Sequence, residues 1–172
     1  MQIKLDSCEV RSLRENDAES LAKHANNWKV WINLRDAFPH PYTIDDARAF
    51  IQNTLGQTPE GHFAIAVDGE TVGAIGIKLN KDVERVSAEI GYWLGEPFWG
   101  RGITTEALEA VTRYAIEKHG LTRVYALPYA WNPASFRVLE KAGYVLEARM
   151  RRSAVKDGKI VDQLLYAFVV PE

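Results

Sequence analysis

Apolar and polar residues follow two patterns along the chain, and together they predict alternating strands and helices. Short apolar runs bounded by turn residues predict strands. The dipeptides Asp68-Gly69 and Asp157-Gly158 each separate two such runs, which is a strong signal for a β-hairpin. The predicted strands cover residues 8–14, 63–67, 71–79, 87–94, 123–129, 144–152 and 160–169.

Helices are predicted where apolar residues recur at helical spacing behind a capping residue. Asn16, with Glu19 three residues later, predicts a helix start, and Leu21, Ala22 and Ala25 form its apolar face. Residues 28–35 are predicted to form a second helix, whereas Pro39 and Pro41 exclude a helix over residues 38–43.

Three further helices complete the pattern. Thr43 predicts the cap of a helix over residues 44–55, with Ala47, Phe50, Ile51 and Leu55 on its apolar side. A long helix is predicted over residues 103–119 and ends at Gly120. A short helix follows Asn132-Pro133 and stops at Gly143.

The order of these elements predicts the fold class. Strands and helices neither alternate strictly nor separate into blocks, so we expect a mixed α/β protein. The pattern predicts a central mixed, twisted sheet of about seven strands with helices on both faces. Because no linker or repeat interrupts the 172 residues, one domain over residues 1–172 is expected.

Composition narrows the function classes. The chain is 47% apolar and 26% charged, with a formal net charge of −2, so a basic field for nucleic acid is absent. Cys8 is the single cysteine, which fits a reducing compartment. The first residues lack the apolar core of a signal peptide, and no segment is long and apolar enough to span a membrane. We therefore expect a cytoplasmic protein with no membrane or nucleic-acid partner.

Residues 96–106 carry the strongest chemical signal, because they join a predicted strand to the long helix. The N-terminus of a helix presents unpaired N–H groups and partial positive charge, and it binds phosphate when the backbone is accessible. Gly100 and Gly102 permit that approach, Arg101 adds a cation, and Thr104 and Thr105 add hydroxyl groups. A tight turn without a ligand is the alternative. The segment matches neither the Walker loop nor the dinucleotide fingerprint, which requires glycine or alanine where Thr105 stands.

The stretch from Ala88 to Ala107 strongly resembles the acetyl-CoA signature of the GNAT acetyltransferase superfamily. Within that superfamily, the chain is similar to the RimJ/RimL group of ribosomal-protein N-terminal acetyltransferases. The run from Asn132 to Tyr144, followed by Glu147, matches a second motif of that group, and residues 38–47 are also similar. The resemblance implies transfer of an acetyl group from acetyl-CoA to a primary amine, with no metal.

The resemblance also implies a set of cofactor residues. The pantetheine arm is expected between two splayed parallel strands, residues 87–94 and 123–129. Pro97 stands where the superfamily often has Arg or Gln, so phosphate binding must depend on residues 100–105. The expected cofactor-binding residues are Trp93, Leu94, Trp99, Gly100, Arg101, Gly102, Ile103, Thr104, Thr105, Asn132 and Ser135.

Two residues are candidates for catalysis. Glu89 is the candidate base, acting directly or through water; a structural strand carboxylate is the alternative. Many superfamily members carry a tyrosine acid where this chain has Leu139, so Ser135 is the candidate donor to the leaving sulfur. The alternative for Ser135 is a hydrogen bond within the first helical turn, and Asn132 has the alternative role of a helix cap.

The acceptor side is expected along the loop from Arg35 to Tyr42. Trp31, Arg35, Phe38 and Tyr42 are the candidate substrate-binding residues, although some of these aromatic side chains are expected to pack in the core. The acceptor is a protein N-terminus or a small-molecule amine. A non-catalytic acyl-CoA sensor or scaffold remains the alternative function, and the exposed C-terminal edge strands are compatible with a homodimer.

Overall fold

The structure is a computed structural model that describes all 172 residues. It contains eight strands, which are hydrogen-bonded in the order β1-β2-β3-β4-β5-β6-β8-β7. The pair β5–β6 is parallel, whereas β1–β2, β2–β3, β3–β4, β6–β8 and β7–β8 are antiparallel. The strands are β1 Gln2–Lys4, β2 Glu9–Ser12, β3 His62–Val67, β4 Glu70–Leu79, β5 Ser87–Leu94, β6 Arg123–Ala126, β7 Val145–Lys156 and β8 Lys159–Val169.

Five α-helices connect these strands: α1 Ala18–Ala25, α2 Trp28–Trp31, α3 Ile44–Leu55, α4 Ile103–His119 and α5 Pro133–Lys141. Short 3₁₀ turns lie at Glu15–Asp17, Asp82–Glu84 and Glu96–Phe98. No helix has both the length and the apolar character needed to cross a membrane. The predicted mixed α/β class is confirmed. The sheet has eight strands where about seven were expected, and the short edge strand β1 is the additional one.

The chain forms two compact units. The first comprises residues 1–76 and 92–107, and the second comprises residues 77–91 and 108–172. In the first, the apolar faces of α1 and α3 share one core with Leu13, Tyr42 and Ala64. In the second, the buried side chains include Leu108, Val111, Val124, Leu139 and Tyr166. The expectation of a single domain over residues 1–172 stays a prediction.

Several local predictions are confirmed. Thr43 caps α3 by accepting the N–H of Asp46, and Asp46 accepts the N–H of Thr43 in return. Asp68 and Gly69 adopt positive φ angles of 49° and 84° in the β3–β4 turn, as a type I′ hairpin requires. Both ends of α4 also match the prediction, and Gly120 follows with φ 62°.

Other local predictions are wrong. Asn16 does not cap α1, because the buried carboxylate of Asp17 accepts the N–H of Arg14 and organises a 3₁₀ turn there. Helix α2 ends at Trp31 because the side-chain amide of Asn33 takes the carbonyl of Lys29, which a continuing helix would use. Strand β6 ends at Ala126, shortly before Pro128, which lacks an N–H donor.

The fourth correction concerns the buried stripe of α3. Leu55 is 48% exposed, and Thr54 is buried in its place. The buried residues of α3 are Ala47, Ile51 and Thr54, which follow the spacing i, i+4 and i+7 of one helical face. The last turn of α3 therefore buries Thr54 and leaves Leu55 at the surface.

Candidate active site

The turn before α4 holds two glycines in a conformation that other residues rarely adopt. Gly100 and Gly102 have φ angles of 75° and 79°, and a β-carbon on either would meet nothing within 4 Å. Residues 99–102 are exposed. The N–H of Glu106 bonds to the carbonyl of Gly102 at 3.1 Å, so the helical ladder begins there. The N–H groups of residues 103–105 precede the first intrahelical bond, and the open backbone beside them fits a diphosphate.

Trp99 fastens the start of this turn to the end of β5. Its indole Nε1 donates to the carbonyl of Leu94 at 2.7 Å, although the side chain is 45% exposed. The Arg101 guanidinium lies 5.2 Å from the ring centre of Phe98, in a cation–π position. Of the residues predicted to bind the cofactor, Leu94 and Trp99 are thus in direct contact.

The segment 95–98 is held by residues that the sequence did not single out. The His24 ring packs edge-on against Phe98, and its Nε2 lies 2.9 Å from Glu70 Oε1. A β-carbon on Gly95 would lie 2.9 Å from His24 Nδ1, so only glycine allows this approach. Hydrogen bonds from Lys23 and His24 lower the pKa of Glu70. These residues are far apart in the sequence, so only the structure reveals their contacts.

Pro97 is exposed. Its neighbour Glu96 is held by hydrogen bonds from a residue of helix α2 and from the residue that caps this helix. Asn27 Nδ2 donates to Glu96 at 2.8 Å, and Lys29 Nζ donates to it at 2.5 Å. The hydrogen bonds from Lys29 and Asn27 lower the pKa of Glu96. The segment in front of the glycines is therefore tethered by side chains.

Trp93 lies where the acceptor loop meets the end of β5. Its ring is 5.6 Å from that of Phe38, which is 4.6 Å from the ring of Tyr42. Tyr42 is only 6% exposed, and burial raises the pKa of its phenol to about 12. Phe38 and Trp93 pack against the same core, so these three aromatic residues are partly structural.

The other two acceptor candidates lie further along the loop. Trp31 is half-buried and stacks on His40 with ring centres 5.6 Å apart. Arg35 is exposed, and its carbonyl accepts the N–H of Phe38 at 3.0 Å.

Strands β5 and β6 are paired over only a short stretch. The register runs from Ser87 opposite Arg123 to Glu89 opposite Tyr125. Strand β6 ends at Ala126, whereas β5 continues to Leu94. Glu89 is half-buried and is the last residue of β5 in this register. The register of β5 with β6 thus stops at Glu89.

The second unit also holds Asn132 and Ser135. Asn132 Oδ1 accepts the N–H of Ser135 at 3.3 Å, so Asn132 caps α5. Ser135 lies half-buried in the first turn of that helix. Leu139 is fully buried, so its position on α5 serves packing.

The comparisons with known proteins identify the family. The family model described as an acetyltransferase (GNAT) domain matches residues 8–145. The chain belongs to the GNAT acetyltransferases. Members of this family act as acetyl-CoA-dependent N-acetyltransferases, and this chain is such an enzyme. The comparisons do not favour the non-catalytic acyl-CoA module.

Individual relatives agree with this assignment. The ribosomal-protein-serine acetyltransferase of Escherichia coli K12 is 26% identical over 169 residues, which cover 96% of this chain and 94% of the relative. Among solved structures, RimL, a ribosomal L7/L12 α-N-protein acetyltransferase in complex with coenzyme A, superposes with a TM-score of 0.87. That pair is 23% identical and covers 99% of this chain and 98% of RimL.

A second similar structure is the microcin C7 self-immunity acetyltransferase MccE, in complex with acetyl-CoA and AMP. It has a TM-score of 0.82 and 22% identity, and it covers 96% of this chain and 94% of MccE. The co-substrate of this GNAT enzyme is acetyl-CoA. No three His, Cys, Asp or Glu side chains are grouped so that they could hold a metal ion.

Proposed function

We propose that this GNAT enzyme acetylates the α-amino group at the N-terminus of a protein, and that the turn at residues 99–105 holds the diphosphate of acetyl-CoA. The observation that carries the site assignment is the exposed pair Gly100 and Gly102 at the first turn of α4. Both present backbone, without side-chain bulk, beside unpaired helical N–H groups. Arg101, Thr104 and Thr105 supply further donors in the same segment.

The remaining cofactor contacts are assigned to two other segments. Because the Leu94 carbonyl already accepts the Trp99 indole, we assign Trp99 to fixing the end of β5. Backbone groups around Trp93 and Leu94 then pair with the amides of the pantetheine arm. Ile103 contributes its N–H at the helix start, and Asn132 and Ser135 contribute side-chain contacts.

Acetyl transfer forms a C–N bond and breaks the C–S bond of the thioester. The amine must attack in its unprotonated form. An α-amine with a pKa of about 7.7–8 is far more easily deprotonated at pH 7 than a lysine amine with a pKa of about 10.4. Glu89 takes the proton from nitrogen, directly or through water. The Ser135 hydroxyl donates a hydrogen bond to the departing sulfur, and backbone N–H groups of β5 stabilise charge on the carbonyl oxygen.

The choice of a protein α-amine as acceptor rests on this difference in amine pKa and on the acceptors for which the relatives are named. The E. coli relative is named for a ribosomal-protein serine, and RimL for the α-amine of ribosomal L7/L12. Phe38, Trp31 and Arg35 offer aromatic and charged contacts for the first residues of a peptide, and Tyr42 supports Phe38. A small-molecule amine is the competing acceptor.

Thiol release from acetyl-CoA, measured on a panel of acceptors, tests the proposal. The panel contains peptides that begin with serine or alanine, the same peptides with a blocked N-terminus and one internal lysine, and aliphatic diamines. We expect the highest kcat/KM for peptides with a free N-terminus. Faster turnover of diamines or blocked peptides would overturn the acceptor assignment.

The proposal also includes that the enzyme forms a homodimer and acts in the cytoplasm. Strand β7 forms an edge of the sheet, and unpaired edges favour association. Val145, Leu146, Val155 and Ile160 are exposed apolar residues on the β7–β8 hairpin. Sedimentation equilibrium at micromolar concentration checks this assignment: a single monomeric species would contradict it.

A further inference from the structure

We infer that Glu106 is a positioning residue for cofactor binding, because the backbone of Ser7 clamps it and thereby orients the first turn of α4. This inference rests on the proposed function, in which that turn holds the diphosphate. It assigns a role in cofactor affinity to the segment before β2, and Ser7 lies just outside the matched family region, which starts at residue 8.

The clamp joins residues that are distant in sequence. The Ser7 N–H donates to Glu106 Oε2 at 3.0 Å across a separation of 99 residues. Next to it, Cys8 Sγ lies 3.9 Å from the carbonyl oxygen of Ile103. Cys8 is 8% exposed. Two consecutive residues of one segment thus contact two residues in the first turn of α4.

The protonation states suit both contacts. Burial, with a further effect of the Glu106 charge, raises the pKa of the Cys8 thiol to about 11. At neutral pH Cys8 therefore keeps its S–H, a weak donor to the Ile103 carbonyl. The N–H of Ser7 bonds to an ionised carboxylate, and such bonds are about twice as strong as neutral ones.

The two glycines of the turn make no side-chain contacts that could hold it. Gly100 and Gly102 have no side chains, and the space around their missing β-carbons is open. Arg101 points its charge toward the Phe98 ring from an exposed position. Contacts from supporting residues hold binding groups in place, and Ser7 and Cys8 supply such contacts to the first turn of α4.

The charge of Glu106 has the opposite effect from its hydrogen bond. A carboxylate one helical turn from a bound diphosphate repels it, so the charge alone weakens cofactor binding. The hydrogen bond to Ser7 aligns the donors and strengthens binding. Variants that separate the charge from the hydrogen bond therefore shift the affinity in opposite directions.

Calorimetric titration of CoA into three Glu106 variants tests the inference. Glu106→Gln removes the charge and keeps an acceptor oxygen, so CoA should bind as in the wild type or about threefold more tightly. Glu106→Asp keeps the charge but shortens the reach, and Glu106→Ala removes both. These two should bind CoA about tenfold more weakly. The KM for acetyl-CoA should rise in parallel, with kcat at saturation nearly unchanged.

Two control variants leave the clamp intact. Ser7→Ala keeps the backbone N–H that donates to Glu106, so CoA affinity should not change. Glu109→Ala removes an exposed carboxylate from the next turn of α4 and should also bind CoA like the wild type. Circular dichroism confirms that each variant is folded.

Each contrary result has its own meaning. Tighter binding by all three Glu106 variants would show that Glu106 acts only as a repelling charge. Unchanged CoA affinity with a lowered melting temperature would show a purely structural role. Failure of the proposed diphosphate site is recognised separately, because Arg101→Ala and Gly102→Ala would then retain full CoA affinity.

Discussion

A β-carbon added to Gly73 would lie 2.4 Å from the carbonyl oxygen of Trp93. The same carbon would approach the Cα of Leu94 to 3.1 Å. Strand β4 therefore approaches the end of β5 at a distance that only glycine permits. The N–H of Gly95 bonds to the Val72 carbonyl at 2.8 Å and secures this arrangement.

Gly73→Ala is predicted to displace the end of β5. We expect a loss of about 1–3 kcal/mol in the free energy of unfolding from overpacking, together with a raised KM for acetyl-CoA. Urea unfolding and steady-state kinetics measure the two effects. Gly56→Ala is the matched control, since its φ is negative and a β-carbon there makes only ordinary contacts at 3.7 Å. Equal behaviour of the two variants would show that the close approach is unimportant.

A buried ion pair stabilises the segment before α1. Arg11 Nη1 and Nη2 donate to the two carboxylate oxygens of Asp17 at 2.8 and 2.7 Å, and Thr71 Oγ1 donates to Asp17 at 2.7 Å. Burial alone would raise the pKa of Asp17, but the hydrogen bonds from Arg11, Thr71 and the Arg14 N–H outweigh it and lower the pKa. The pair is thus formed with an ionised carboxylate.

Asp17→Asn should lower the free energy of unfolding at pH 7 by roughly 3–5 kcal/mol, because it leaves the Arg11 charge buried without its partner. A lowered folded-state pKa gives stability that is present above the unfolded value of about 3.9 and is lost as the pH falls through the folded value. The difference between wild type and variant should therefore shrink below about pH 4. Unfolding titrations at pH 7 and pH 3 measure it, with Asp45→Asn on the surface of α3 as the control. A difference that does not depend on pH would contradict this account.

Glu89→Gln tests the proposed base. Loss of a general base lowers kcat about 10²–10⁴-fold, and the loss should be smaller for acceptors whose amine has a lower pKa. Ser135→Ala should cost less, because a thiolate leaves without full protonation and the backbone cap of α5 is retained. CoA binding by calorimetry serves as the control for Glu89→Gln, which should bind CoA like the wild type. If Glu89→Gln keeps wild-type kcat on peptides and on diamines alike, Glu89 is not the base.

The sequence predicts structure best where the signal lies in neighbouring residues. The Asp68-Gly69 turn, the Thr43 cap and the limits of α4 depend on residues within a few positions of each other, and all three match the structure. The predicted end of α2 fails because the Asn33 side chain competes for the Lys29 carbonyl. From the sequence alone, Asn33 is compatible both with a helix that continues and with a helix that ends before it.

Contacts between distant residues are the part that the sequence does not reveal. The hydrogen bond between Ser7 and Glu106 spans 99 residues. The need for glycine at position 73 depends on the carbonyl of Trp93 on the next strand. The glycines at 100 and 102 were accessible to sequence analysis because they share one short motif with Arg101 and the helix start. A glycine on a strand, such as Gly73, carries no such signal.

The most direct test of the central claim is calorimetric binding of CoA and of pantetheine to two glycine variants. Gly102→Ala and Gly120→Ala both place a β-carbon at a positive φ in open space, 79° and 62° respectively, so both should lose about 1–2 kcal/mol of stability. We predict that only Gly102→Ala weakens CoA binding, by at least tenfold. Pantetheine lacks the diphosphate and should bind the wild type and both variants equally. Equal CoA affinity of the two variants would contradict the assignment of the diphosphate to this turn.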